Sequence, residues 1–271
     1  SNKNLNLFSL LDKKNNLKFL SHQYEGESQL LKIKYNNSIH KIKLNLIGKV
    51  QLKNVLMAVI ASIKSNINVI DILKIIPKIK SVEGRFERIS RIKNNSKVIL
   101  DYAHTPDALK TCLKNIKEQF PGRKINLVFG CGGNRDQNKR AKMGKIADLF
   151  SNKIYLTDDN PRLEQPSKIR KDIKRGIKKI KVFEFPNRAK AITEAINHLK
   201  TGEILLVAGK GHETFQETGI KKIFFSDKKI ILNAIKIKNL ALSKNLKINI
   251  LNELNEEKKI SNIISLEKAR I

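Results

Sequence analysis

At 271 residues, with 40% hydrophobic and 30% charged residues, the chain is long enough for one large or two ordinary globular domains, and no apolar run approaches a bilayer crossing. Its net charge of +30 suggests a nucleic-acid partner, but Trp is absent, aromatics make up 6%, and the lysines are scattered rather than set along a stacking groove. We therefore expect a compositional bias toward Lys, Ile and Asn, with neither nucleic acid nor membrane as partner and a field that favours small anions such as nucleotides.

The first stretch alternates in the manner of half-buried strands over 17–24, 29–35 and 39–46, the last two joined at Asn36-Asn37, residues that tolerate a left-handed hairpin turn. From 51 to 63 the period becomes helical, placing Leu52, Val55, Leu56, Val59, Ile60 and Ile63 on one face. A short helix over 69–76 is expected to end at Pro77, and 82–88 reads as a polar connection. Beyond it strands are predicted at 98–101, 124–130, 153–157, 181–185 and 203–208. Helices are predicted between them at 106–119, 140–150, 166–177 and 188–199, the first opened by Thr105 as N-cap and Pro106 at the first helical position. Strands separated by helices of this length predict an α/β fold with a mostly parallel sheet and right-handed crossovers. Ligands of such sheets bind beyond the C-terminal ends of the strands.

Four unusual segments fall at those ends. Gly130-Cys131-Gly132-Gly133-Asn134-Arg135-Asp136 departs from the dinucleotide fingerprint because Arg135 takes the last glycine's place; it is either a ligand-approaching loop or a tight turn. In Asp159-Asn160-Pro161-Arg162, Pro161 stiffens a loop from which Arg162 can grip a carboxylate, the alternative being a turn with a solvated Arg. Gly209-Lys210-Gly211-His212-Glu213 lacks the Ser or Thr of a phosphate loop, and G-x-x-x-x-G-K-S/T occurs nowhere in the chain. In Asp101-Tyr102-Ala103-His104-Thr105-Pro106-Asp107, Asp101 can accept from ribose hydroxyls, whereas Asp101 and His104 alone do not make a metal site. Cys112 and Cys131 are too few for a disulfide framework and fit a reducing compartment. No basic-then-apolar leader follows Ser1, which points to the cytoplasm, and the missing initiator Met points to an N-terminus lying upstream.

Together with Glu83-Gly84-Arg85-Phe86-Glu87 and Lys139-Arg140, these segments, in this order and spacing from about Gly48 to Asp227, resemble the Mur ligases of peptidoglycan synthesis, in particular members that add meso-diaminopimelate. The resemblance implies the end of a central ATP-binding domain over 1–83, a Rossmann-like amino-acid-binding domain over 84–245, and a linker or the start of a further domain over 246–271. It implies ATP as co-substrate with Mg2+, and UDP-N-acetylmuramoyl-dipeptide as the acceptor of diaminopimelate. The family's phosphate loop and carbamylated lysine would lie upstream, leaving no metal ligand in this part of the protein. Asn54, Arg85, Asp101 and His104 would then contact the nucleotide. Arg135, Asp159, Asn160, Arg162, the carbonyl of Gly209 and Glu213 would hold the far end of diaminopimelate, while His212 and Lys210 are the candidates for catalysis. Asn134 stands where diaminopimelate-adding members commonly carry Asp. The family reaction is formation of an amide through an acyl phosphate.

Overall fold

The computed structural model describes residues 17–244, together with 246 and 248. Apart from those two positions, the segment expected over 246–271 lies outside the described residues, as does 1–16.

The chain opens with an antiparallel meander of β1 (Leu17–Glu25), β2 (Ser28–Tyr35) and β3 (Ser38–Leu44), with Asn36 at φ 52° in the second turn. Period-2 alternation puts Leu31, Ile33, Ile42 and Leu44 on one face. They pack on Leu52, Val55, Leu56 and Val59 of α1 (Lys49–Lys64) and on Ile72 and Leu73 of α2 (Val69–Ile75). The Asn68 side chain caps α2 by accepting from the Ile70 amide, and Pro77 closes it into a 3-10 turn, Ile76–Lys78.

The second unit is a six-stranded sheet of β4 (Glu87–Arg91), β5 (Lys97–Asp101), β6 (Ile125–Phe129), β7 (Lys153–Thr157), β8 (Val182–Phe185) and β9 (Ile204–Ala208), in the order β4-β5-β9-β6-β7-β8. All neighbours are parallel except β4 and β5. Helices α3 (Pro106–Gln119), α4 (Asn138–Phe150) and α5 (Pro166–Lys174) cover one face through Leu109, Leu113, Met143, Ala147 and Ile173. Helix α6 (Arg188–Asn197) and a last helix, α7, over 227–244 cover the other through Ala191, Ile192, Ile231 and Ile235. The chain steps outward from β6 to β8 and returns to the middle for β9. A right-handed return in the opposite direction puts α6 on the opposite face.

The sheet departs from expectation at two places. Part of the connection expected over 82–88 is edge strand β4, whose sequence carries three charges in five residues and a bulge between Arg88 and Arg91. A hairpin, β10 (Phe215–Thr218) and β11 (Lys221–Phe224), follows β9; it is mostly exposed and shows no apolar alternation.

Candidate functional site

The loops after β6, β7 and β9 meet at one edge of the sheet at distances only glycine allows. The Gly133 amide donates to the Asn160 carbonyl (2.9 Å), and a Cβ at Gly133 would stand 1.9 Å from the Pro161 oxygen. The loop after β9 presses on the segment before β4 in the same way. Gly84 has φ +64°, and a Cβ there would lie 2.2 Å from the His212 nitrogen.

Between the loops lies a polar hub. Lys210 is fully buried, and its ammonium donates to Asn160 Oδ1 and to Glu213 Oε2, both at 2.9 Å. Asn160 Nδ2 donates to Glu213 Oε2 (3.2 Å), Asn160 Oδ1 also accepts from the Glu217 amide (3.0 Å), and Tyr102 donates its hydroxyl to Glu213 Oε1 (3.2 Å). Burial acts to raise the Glu213 pKa. The hydrogen bond and charge of Lys210, with the bonds from Asn160 and Tyr102, outweigh it and leave the carboxyl below its ordinary range. A carboxylate is therefore held ionised in a half-buried position, facing the loop that carries Arg162.

Arg162 has φ +52°, a left-handed conformation rare outside glycine and a mark of strain kept at functional sites. Its Nη1 donates to the Gly133 carbonyl (2.9 Å), and its Nε lies 2.8 Å from Glu217 Oε2. Arg135 is exposed, and its one hydrogen bond among the described residues runs from Nη1 to the Asn134 carbonyl (3.5 Å). Between them Asn134, at φ +50°, accepts from the Leu163 amide through Oδ1 and donates its own amide to Glu164. Beneath, the fully buried Arg140 grips Glu164 at 2.8 and 2.9 Å and Asp172 at 3.1 Å, fixing the loop after β7 to α4 and α5.

Asp159 is buried under Gly209, and its carbonyl accepts from Gln216 Nε2 (2.6 Å). Its Oδ2 stands 3.9 Å from Nη1 of Arg188, and neither atom makes a hydrogen bond among the described residues. Arg188 is fully buried and locked in a two-pronged pair with Asp227 (2.7 and 2.8 Å), which ties α6 to the start of α7.

A second group lies where the two units join. Asp101 accepts from the Phe86 amide (2.7 Å) and the Ala103 amide (2.8 Å), and Cys112 lies 3.2 Å away. Burial raises its pKa against the lowering effect of those bonds and of the Arg85 charge. The exposed Arg85 sits 4.6 Å over the Tyr102 ring; His104 meets the same ring edge-on at 4.6 Å, and His212 lies 5.4 Å from it. Gln51 Nε2 donates to the Arg85 carbonyl (2.8 Å), and Asn54, one helical turn further along α1, is exposed.

The structure thus gathers Asp159, Asn160, Arg162, Gly209, Lys210 and Glu213 into one cluster with Arg135 at its rim, and Arg85, Asp101, His104 and His212 into a neighbouring one around Tyr102. Asn54 is tied to the second only through α1. Sequence reasoning missed Tyr102 as the bridge between clusters, Glu217 as the partner of Arg162, and the Arg188–Asp227 pair. Tyr102 carried a signal, standing inside a singled-out segment; Glu217 and Arg188 carried none. Among the described residues no group of three or more His, Cys, Asp or Glu has the arrangement of a metal site.

Residues 84–211 match the family model described as Mur ligase, glutamate ligase domain. The chain is 40% identical over 231 residues to a UDP-N-acetylmuramoyl-L-alanyl-D-glutamate–2,6-diaminopimelate ligase of Rickettsia prowazekii, covering 80% of this chain and 47% of that one. It is 44% identical over 199 residues to the like-named ligase of Fusobacterium nucleatum, covering 73% and 41%. A solved structure of a ligase of that name superposes with a TM-score of 0.65 at 30% identity, over 84% of this chain and 47% of the other. The chain thus spans about half the length of the relatives it matches. The match over 84–211, with a sheet that superposes on that of a solved ligase of this family, shows that this chain carries a Mur ligase C-terminal domain.

Proposed function

We propose that this chain is the amino-acid-selecting part of an ATP-dependent cytoplasmic ligase that adds meso-diaminopimelate to UDP-N-acetylmuramoyl-L-alanyl-D-glutamate in peptidoglycan precursor synthesis. One observation carries the reading. A guanidinium, that of Arg162, and an ionised carboxylate, that of Glu213, are both fixed in advance around Asn160. The far end of diaminopimelate is a zwitterion. Its carboxylate suits Arg162 and Arg135, and its ammonium suits Glu213 and the Gly209 carbonyl. L-lysine has the ammonium but no carboxylate there, so the arginines would be left without a partner.

Asp159 and Asn160 belong to this site as its frame. Lys210, expected as a catalytic candidate, serves here as a positioning residue, because its ammonium is buried and spent on Asn160 and Glu213. His212 is exposed beside Tyr102 at the boundary of the two clusters, where a proton leaving the attacking amine can be relayed. Arg85, His104, Asp101 and Asn54 offer a cation, an aromatic ring, a carboxyl group and an amide to ATP at the joint. Asp101 does so with both oxygens already accepting protein donors. No group of three or more His, Cys, Asp or Glu among the described residues could hold a metal ion, and no step is assigned to Mg2+ here. Residues 1–83 fit the end of the central ATP-binding domain and 84–245 the amino-acid-binding domain.

Calorimetry with the 271-residue chain, comparing meso-diaminopimelate with L-lysine, tests this. Diaminopimelate binding with little for lysine is expected, and tight lysine binding with none of diaminopimelate would sink the reading. Because the chain holds no phosphate loop, it is expected to release no phosphate from ATP by itself.

A further inference from the structure

We propose that Glu217 is a positioning residue for Arg162, and that through it the β10–β11 hairpin sets the selectivity for an amino acid with a carboxylate at its far end. The inference rests on the reading of Arg162 given above.

Three hydrogen bonds stitch β10 and the turn after it to the loop after β7. The Arg162 amide donates to the Glu217 carbonyl (3.1 Å), the Gly219 amide donates to the Arg162 carbonyl (2.7 Å), and the Glu217 amide donates to Asn160 Oδ1 (3.0 Å). Arg162 and Thr218 form an isolated parallel bridge, and Gln216 reaches the Asp159 carbonyl. With the backbones so fixed, the Glu217 carboxylate meets Nε of Arg162 at 2.8 Å while Nη1 is taken by Gly133. The guanidinium is planar and carries five N–H donors. A close charge contact at Nε and a hydrogen bond at Nη1, made to different segments, restrain where that fork can lie. Nη2 makes no hydrogen bond among the described residues and is left to present its donors. A long side chain otherwise loses rotamer entropy on gripping a ligand; an anchored one has lost it already.

Glu217 also sets a charge condition. Its anion offsets the cation of Arg162, so the pair attracts a carboxylate through directed hydrogen bonds more than through net charge, and the exposed Arg135 supplies the surplus. An incoming group without carboxylate geometry gains little from such a pair. Selectivity over L-lysine therefore depends on the orientation that Glu217 maintains.

The test uses the 271-residue chain and its Glu217→Ala and Glu217→Gln variants, with two readouts. In the ligand-free protein, the Arg162 Nε–H resonance is expected to exchange slowly with water in the parent and in Glu217→Gln, and to broaden or vanish in Glu217→Ala. In calorimetry, Glu217→Ala is expected to lose roughly tenfold in diaminopimelate affinity, with Glu217→Gln within about threefold of the parent. An Arg162 resonance unchanged in Glu217→Ala overturns the inference, and so does diaminopimelate binding as tight as, or tighter than, that of the parent. A parent chain that binds no diaminopimelate overturns the amino-acid reading and the selectivity drawn from it. The Nε–H signal still decides whether Glu217 orients Arg162.

Discussion

The loop cluster around Asn160 and the joint between the two units are built from different materials. In the cluster, backbone packs on backbone at distances that exclude a Cβ, and the charges of Lys210, Arg140 and Arg188 are buried against their partners. At the joint, side-chain amides reach across to main chain: Gln119 Oε1 accepts from the Gly48 amide (2.6 Å), Asn115 Oδ1 from the Val50 amide (3.2 Å), and Gln51 donates to Arg85. Glu27, in the turn between β1 and β2, adds ion pairs to Arg88 and Lys97. The cluster turns on buried charges in contact with partners of opposite sign, whereas the joint turns largely on neutral amides, so the loss of one contact costs less there.

If that contrast holds, Lys210→Met has the largest effect. Removing the one cation of a buried charged set leaves Glu213 with only the neutral donors Asn160 and Tyr102, at about 3 kcal/mol of stability read in urea unfolding, with diaminopimelate binding lost as well. A stability within experimental error of the parent would break the comparison. Arg162→Ala leaves the hub intact and should weaken diaminopimelate binding ten- to hundredfold, about 1.5–3 kcal/mol, with little change for ATP analogues. Equal loss of both ligands would mean that the cluster and the joint are not separate. Gln119→Ala, at the joint, should lose only about 1 kcal/mol and speed hydrogen exchange at the Gly48 amide without touching diaminopimelate affinity.

The smallest effect is a difference of sign with pH. The folded-state pKa of Glu213 is depressed, so its contribution is present above the ordinary carboxylate range and fades as pH falls through the folded value. The pKa of Asp101 is raised by burial, so its contribution is full below the ordinary range and fades as pH rises through its folded value. Carboxyl-carbon NMR titration should find Glu213 below and Asp101 above their ordinary values, and a reversed order would contradict the picture.

Much of this fold could be read from local chemistry. Thr105 and Pro106 announce α3, whose bounds agree with the expected 106–119, because a cap and a fixed φ are local properties. The parallel sheet followed from apolar runs spaced by helices. Strand β4 and the hairpin 215–224 were not legible, since charged and exposed strands are held by their neighbours rather than by their own pattern. The candidate site divides in the same way. Arg162 was marked by its stiff loop at a strand end and Glu213 by the family resemblance, whereas the burial of Lys210 and the pairing of Arg162 with Glu217 depend on segments about 50 residues apart in sequence. Residue type marks a candidate, and only the packing assigns it a task.

The position of β9 bears on how the molecule forms. It is the last strand of the large sheet along the chain, yet it lies between β5 and β6. Until 204–208 emerge during synthesis, β4 and β5 have no partner joining them to β6, β7 and β8, and the sheet exists as two fragments with open edges. The residues that follow at once are Gly209 to Glu217. Closing the sheet and delivering the loop that organises Asn160 and Arg162 are therefore one event late in folding, and a chain stopped before residue 204 has neither.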